Sequence, residues 1–153
     1  MSDLAPISAA IASMQGPVSR EQIERLQAEL VKLPQYEPIT RHYFHAGMYC
    51  REVWRAAGVL VVGKVHKAPH FYMIVSGTVR IDGGDPITGP CLMQSEPGTK
   101  RAVLSLTPAL CVTFHRTDAK TVEAAEAELV EEDPQSTYDA GNRLRAPVLE
   151  VLK

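Results

Sequence analysis

The stretch GVLVVGKVHKAPHFYMIVSG, residues 58–77, decides the fold of this 153-residue chain. Its two halves are rich in β-branched and aromatic residues, which favour strands. Between them, Ala68-Pro69 favours a tight turn. We therefore predict two neighbouring antiparallel strands, 58–66 and 70–76, connected at this turn.

The same stretch places candidate chemistry on facing strands, because alternate side chains of a strand share a face. The first face consists of Leu60, Val62, Lys64 and His66, and the second of His70, Tyr72 and Ile74. His66 and His70 can then face each other and point into one apolar interior. Neutral imidazole suits transition metals such as Zn, Fe, Ni and Cu. The pair predicts a metal site, with ordinary hydrogen-bonded core histidines as the alternative.

The region from residue 39 to residue 115 has the same sequence pattern, in which Gly and Pro separate short apolar runs. The candidate strands are 39–45, 48–56, 58–66, 70–76, 78–82, 91–95, 101–106 and 109–115. Their spacing leaves no room for crossover helices, which predicts an antiparallel barrel or sandwich. Asp82-Gly-Gly-Asp85 predicts a hairpin turn.

A helix is predicted on each side of the strands. Ser19 is placed as the first residue of a capping box, and the apolar spacing after it predicts a helix over 19–33, which Pro34 ends. The favoured interpretation is that this helix packs on the main domain, and the alternative is that it mediates oligomer contacts.

The second helix is predicted over about 119–132, with Asp118 or Thr117 as its N-cap. Its apolar stripe consists of Val122, Ala125, Leu129 and Val130. The acids on its other face, Glu126 among them, are interpreted as solvated. Around these helices we predict a loose arm over 1–18, one domain over 19–133, and a polar tail over 134–153 that ends in the apolar patch Val148, Val151 and Leu152.

Composition excludes several classes of function. The chain has 16 Lys+Arg against 18 Asp+Glu, a net charge of -2, so no basic excess is present to neutralise nucleic-acid phosphates. The longest apolar run, 56–63, is far shorter than the roughly 20 residues that cross a bilayer. The start shows no secretory signal, and the three cysteines form no CxxC pair. We expect reduced thiols in strand cores and a cytoplasmic protein.

The frame of residues 58–77 resembles the first motif of the cupin superfamily, small jelly rolls of the RmlC type. Gly58 and Gly77 match the glycines of that motif, and His66 matches its second histidine. Lys64 stands where the family has its first histidine, and His70 stands where it has a glutamate. The resemblance implies a mainly β, cupin-type barrel or jelly roll with a ligand site inside the cup.

The second cupin motif is also altered in this sequence. Pro97-Gly98 supplies its turn, but Arg101 stands where the family has a histidine. Lys64 and Arg101 would repel a divalent ion and attract a carboxylate or a phosphate. Tyr72 and Arg51 are further candidates for the wall of a ligand pocket. His115 is a third candidate metal ligand if it faces inward with Cys111 and Thr113; alternatively, Val112 and Phe114 face inward.

Over about residues 30–133 the chain also resembles small cupin-like proteins of tailed phages and prophages. The segments that carry this resemblance are Leu33-Pro-Gln, His42-x-Phe44, Gly47-Met-Tyr49-x-Arg51-Glu52, Gly63-Lys-x-His66-Lys67-x-x-His70, Pro97-Gly-Thr-Lys-Arg101 and Thr113-x-His115-x-Thr117. These proteins mostly lack an assigned activity, so the resemblance implies a phage origin but no reaction. Elsewhere, His42 and His45 fall on opposite faces of an early strand, and a surface role is favoured for both.

Three functions stand as alternatives, and the sequence does not decide whether the protein is an enzyme. The first is a cup that holds a divalent transition metal (Zn, Fe, Ni or Mn) or a small ligand through His66, His70 and His115. The second is a metal-free cup that recognises a small anion through Lys64 and Arg101. The third is a phage structural or accessory protein that binds a protein partner in the host cytoplasm or the virion. A homodimer is expected in each case, because a bare strand edge invites association.

Overall fold

The computed structural model describes residues 19–145; the predicted arm over 1–18 and the apolar patch at the end of the tail lie outside the described residues. The elements in chain order are α1 (Arg20–Leu30), β1 (Ile39–His45), β2 (Met48–Arg55), β3 (Leu60–Val62), β4 (His70–Ser76), β5 (Thr78–Ile81), β6 (Ile87–Thr88), β7 (Cys91–Ser95), β8 (Ala102–Ser105), β9 (Ala109–Arg116) and α2 (Val122–Leu129). None of these helices has the length and apolar composition needed to cross a membrane.

The nine strands form two antiparallel sheets. One sheet has the order β1-β2-β9-β4-β7, and the other has the order β3-β8-β5-β6. The predicted mainly β, antiparallel architecture is confirmed. Within residues 19–145 the strands form no closed barrel, so of the two predicted architectures the structure is the sandwich. The hairpin turn after β5 is confirmed as well, and it leads into the short strand β6, which the sequence did not predict.

The main core lies between the two sheets. Tyr72 and Ile74 of the five-stranded sheet pack with Val79 and Val103 of the four-stranded sheet. The chain crosses from one sheet to the other at Gly77, whose φ is +86°. A Cβ at this position would lie 2.2 Å from a neighbouring backbone oxygen, so only glycine fits this crossing.

Helix α1 packs on the four-stranded sheet, which agrees with the predicted packing on the main domain. Ser19 forms the expected capping box, and Ile23 and Leu26 are almost fully buried. The helix ends at Leu30, three residues before the predicted end. The reason is Pro34. It disfavours helical backbone in the residue before it, and it has no backbone N–H to donate to the carbonyl four residues earlier.

Helix α2 is shorter than predicted, and its N-cap is Thr121 rather than Asp118 or Thr117. The Thr121 hydroxyl accepts the hydrogen bond from the backbone of the third helical residue, while Thr117 instead donates to Glu128. At its other end the helix stops before Val130, which forms a β-bridge with His66. The helix therefore packs against the cup from one end.

The predicted strand 58–66 is shortened to β3, because Gly63 ends its pairing with β8. Beyond Gly63, the carbonyl of Val65 accepts from Glu131 and the amide of Lys67 donates to Leu129. The chain thus leaves the sheet and pairs with the segment at the end of α2. Lys64 and His66 consequently do not continue one flat face with β3.

Candidate ligand-binding site

A cavity of about 130 Å³ lies between the sheets and is the centre of the candidate site. Strands β2, β4 and β9 supply one wall, and β3 and β8 supply another. Its apolar lining consists of Val53, Val61, Val62, Val103 and Val130. An engineered cavity of about 150 Å³ binds benzene, so this cavity has nearly the volume that a molecule of that size needs.

Residues 136–142 add a further wall that the sequence did not predict. The hydroxyl of Tyr138 donates to the backbone oxygen of Tyr36, and Asn142 donates to Thr40 at 3.0 Å. These contacts hold the segment across the cup, where Tyr138 and Asp139 line the cavity. The predicted polar tail is therefore part of the site up to residue 145. The polar, turn-rich composition of the segment gave no signal of this role.

Three histidines meet beside the cavity. His66 and His70 line it, and the buried His115 contacts both rings from the inward face of β9, the alternative that puts Cys111 and Thr113 on the same face. The ring centroids of His66 and His70 lie 4.2 Å apart, those of His70 and His115 4.7 Å, and those of His66 and His115 5.0 Å. The backbone bridge of His66 and the strand register of β4 and β9 bring the rings together.

These histidines are uncharged at neutral pH. Burial, together with the neighbouring His70 and His115, lowers the pKa of His66 to about 2. Burial and the adjacent His70 lower the pKa of His115 to about 3. Burial also lowers the pKa of His70, although its hydrogen bond to Ala68 works in the opposite direction. Each ring therefore offers one donor and one acceptor rather than a positive charge.

The arrangement of the three rings does not fit a metal centre. Within residues 19–145 no group of three His, Cys, Asp or Glu side chains is arranged to hold a metal ion. The rings of His70 and His115 lie 27° from parallel, and those of His66 and His115 lie 17° from parallel. A metal ligand must direct an in-plane ring nitrogen at the ion, whereas these rings stack. One nitrogen of His115 is also engaged with the hydroxyl of Thr113 at 2.9 Å.

Two of the predicted anion-binding cations are already paired inside the protein. Nζ of Lys64 lies 2.7 Å from one oxygen of Glu126, and Arg51 lies 3.1 Å from the other. Arg51 also donates to Tyr49 and to the backbone of Ala140. Lys64 and Arg51 line the cavity, but their charges are shared with Glu126.

The solvated position predicted for Glu126 is therefore wrong. Its side chain is 14% exposed, because residues 136–142 and the cup cover this face of α2. The helical pattern alone assigns a charged residue to solvent whenever it lies off the apolar stripe. That assignment fails here because α2 is covered on a second side.

Two arginines that line the cavity form no salt bridge among the described residues, although the charge of Arg101 acts on Asp82. Arg55 contacts only the hydroxyl of Tyr72 at 3.4 Å and the sulfur of Cys111 at 3.8 Å, and its Nε is buried without a partner. Arg101 donates to the Ser95 hydroxyl at 2.6 Å, and its guanidinium lies 5.6 Å from the centre of the Tyr72 ring. Both guanidinium groups therefore flank Tyr72.

Arg55 is the residue that sequence reasoning missed. The signal was present, because Tyr49, Arg51 and Val53 share a face of β2, and continuing that alternation by one step reaches Arg55.

The early strand β1 carries the remaining two histidines on opposite faces, as predicted. His45 is exposed, and His42 is half-buried. Its Nδ1 lies 2.6 Å from the hydroxyl of Tyr49, and burial lowers its pKa. Tyr49 is 2% exposed and stacks between Phe44 and His115, which makes it a core aromatic.

No protein-family model and no curated protein matches this sequence. Similar solved structures include an acetylacetone dioxygenase from Acinetobacter johnsonii, with 11% identity over 50% of this chain and 58% of that chain and a TM-score of 0.44. An RmlC-like cupin from Shewanella frigidimarina has 15% identity over 55% and 79% of the two chains and a TM-score of 0.45. KdgF from Halomonas sp. has 12% identity over 56% and 84%, with a TM-score of 0.46. The chain spans less than two thirds of the dioxygenase, and none of these matches assigns an activity to it.

Proposed function

We propose that this protein is a cupin-type binding protein whose cavity takes a small organic carboxylate. The observation that carries the proposal is Arg55, a guanidinium at the cavity with a buried, unpartnered Nε and only neutral contacts. A buried charge is costly unless it is paired. An anion in the cavity would supply the missing partner.

The charge balance of the cavity supports an anionic ligand. Four cationic side chains line it, and the acidic side chains among its lining residues are Glu126 and Asp139. Glu126 is shared by two of the cations, which leaves Arg55 and Arg101 without a salt bridge in the described residues. Guanidinium groups form strong, bidentate hydrogen bonds with carboxylates.

The other walls define the rest of the ligand. The valine lining favours a short hydrocarbon body, and the volume of about 130 Å³ limits it to a few carbon atoms. Within the described residues the His66 ring makes no hydrogen bond, so it can donate to or accept from one further polar group. A short hydroxy or keto acid meets these requirements better than a fatty acid or a nucleotide.

A divalent metal held by His66, His70 and His115 remains the alternative cofactor from the sequence. The neutral state of the rings favours it, since metals bind neutral imidazole. Their stacked arrangement does not, so no part of the proposed recognition depends on a metal. The phage origin and the structural or accessory role remain predictions from the resemblance alone.

The test is thermal unfolding of the full chain with propionate, lactate and pyruvate, each compared with its neutral amide. A ligand at 100 times its Kd stabilises a protein by about 2.7 kcal/mol, which for a chain of this length raises Tm by roughly 5–10 °C. We expect the shift with at least one acid and with none of the amides. Arg55→Met should remove it, whereas Arg80→Met, which changes an arginine outside the cavity lining, should keep it.

Two results would count against the proposal. One is the absence of any shift with these acids. The other is an equal shift in the Arg55→Met and Arg80→Met proteins. Arg55→Lys separates charge from geometry, because it keeps a cation but loses the fork that holds both carboxylate oxygens.

A further inference from the structure

The five-stranded sheet has an outer face, turned away from the cavity, that is unusually apolar. Six large apolar side chains on it are exposed: Ile39, Tyr43, Met48, Trp54, Phe71 and Leu92. Their exposure ranges from 38% for Trp54 to 63% for Ile39. An antiparallel sheet with one solvated face normally alternates apolar inward and polar outward residues. Here apolar residues occupy most of the outward positions too.

Strand register makes these side chains one continuous surface. Tyr43 lies opposite Cys50, Cys50 opposite Phe114, and Phe114 opposite Phe71 across four neighbouring strands. The polar residues at outward positions are His45, Gln94 and Arg116, near the ends of their strands, and the pair Arg41 and Glu52, whose charged atoms are 3.8 Å apart. Opposite charges side by side leave this part of the face neutral.

The size of the outer face fits a second copy of this chain. Five strands about 4.8 Å apart and about seven residues long, at about 3.3 Å per residue, span roughly 550 Å² in projection. Two such faces together remove about 1,100 Å² or more from solvent, which exceeds the roughly 1,000 Å² expected of a biological interface. Exposed apolar patches of this extent mark interaction sites in soluble proteins.

We infer that two copies of this chain pair through their outer faces in a two-fold dimer. The same surface then serves on both copies, as an isologous interface requires. Two sheets packed face to face reproduce the layer geometry of a β-sandwich. The cavity lies on the opposite side of this sheet, so the pairing is independent of the proposed carboxylate site.

The test is the mass of the full chain in solution, measured by light scattering and by sedimentation equilibrium. We expect twice the 16.8 kDa of one chain. Phe71→Glu and Leu92→Glu should each give 16.8 kDa, because they place a charge on the outer face. The matched control is Leu106→Glu, which changes an apolar residue with 40% exposure just after β8 of the other sheet, and it should remain a dimer.

Trp54 gives a second readout that does not depend on hydrodynamic shape. It is the one tryptophan in the sequence and lies on the outer face. Its emission should shift to longer wavelength in Phe71→Glu, while the far-ultraviolet circular dichroism stays the same. A monomeric wild-type protein overturns the inference, whether or not it binds lipid vesicles or another protein. A dimer that neither substitution dissociates overturns it as well.

Discussion

Glu126→Gln removes the one carboxylate that two cavity cations share, and its cost can be worked out from the site. The two oxygens of Glu126 lie 2.7 Å from Lys64 and 3.1 Å from Arg51. The three side chains are 14–18% exposed, so solvent screens these pairs only weakly. The substitution leaves two largely buried cations without a charged partner.

Breaking a buried ion pair by removing one partner costs about 3–5 kcal/mol. The cost here should be smaller, because glutamine keeps one acceptor and Arg51 keeps its bonds to Tyr49 and Ala140. We expect the free energy of unfolding to fall by about 2–3 kcal/mol, which lowers Tm by roughly 5–10 °C at this chain length.

Urea unfolding followed by circular dichroism measures this loss. Glu123→Gln is the control, because Glu123 is an exposed acid on the same helix and should change stability by no more than about 0.5 kcal/mol. The double variant Lys64→Met/Glu126→Gln should recover part of the loss, since one stranded charge is gone. Equal effects of Glu126→Gln and Glu123→Gln would refute the reasoning and return Glu126 to a solvated face.

Two further predictions concern the buried histidines and the sheet crossing. His66 and His115 have folded pKa values of about 2 and about 3, below the ordinary value, so the unfolded chain binds protons that the folded chain does not. Their neutral form stabilises the fold above about pH 6.5, so acidification from pH 7 to pH 5 should lower the free energy of unfolding by about 2 kcal/mol for each histidine. Urea unfolding at a series of pH values measures this loss. An unchanged pH dependence of stability in His66→Gln/His115→Gln would contradict it. Gly77→Ala should lower the free energy of unfolding by at least about 3 kcal/mol, since it adds a backbone clash at 2.2 Å to the cost of a positive φ. Gly58 also has a positive φ, +81°, but open space around it, so Gly58→Ala should lower it by about 1 kcal/mol. Equal losses in the two glycine variants would show that the close approach does not matter.

The strands were predictable because local alternation decides them. The sequence places β1 and β4 at the residues where the structure has them, and it finds the Ser19 capping box. The strand 58–66 was too long, because its second half pairs with the end of α2, a contact more than 60 residues away along the chain. A period-two pattern contains no information about which partner a strand finds.

The candidate site was predictable only in part, for a related reason. The histidines could be assigned to the cup from strand parity, but the partners of the cations come from distant segments. Lys64 meets Glu126, and Arg51 also meets Ala140, at sequence separations of 62 and 89 residues. Because of these contacts Lys64 and Arg51 have a salt-bridge partner, whereas Arg55 and Arg101 have none in the described residues.

The most direct test of the proposed function is a crystal structure of the full chain grown or soaked with the acid that gives the largest thermal shift. The account predicts carboxylate density in the cavity, with an oxygen at about 2.7–3.2 Å from a guanidinium nitrogen of Arg55. Density for the acid away from Arg55, or a metal ion on His66, His70 and His115 with the acid bound to it, would contradict the account.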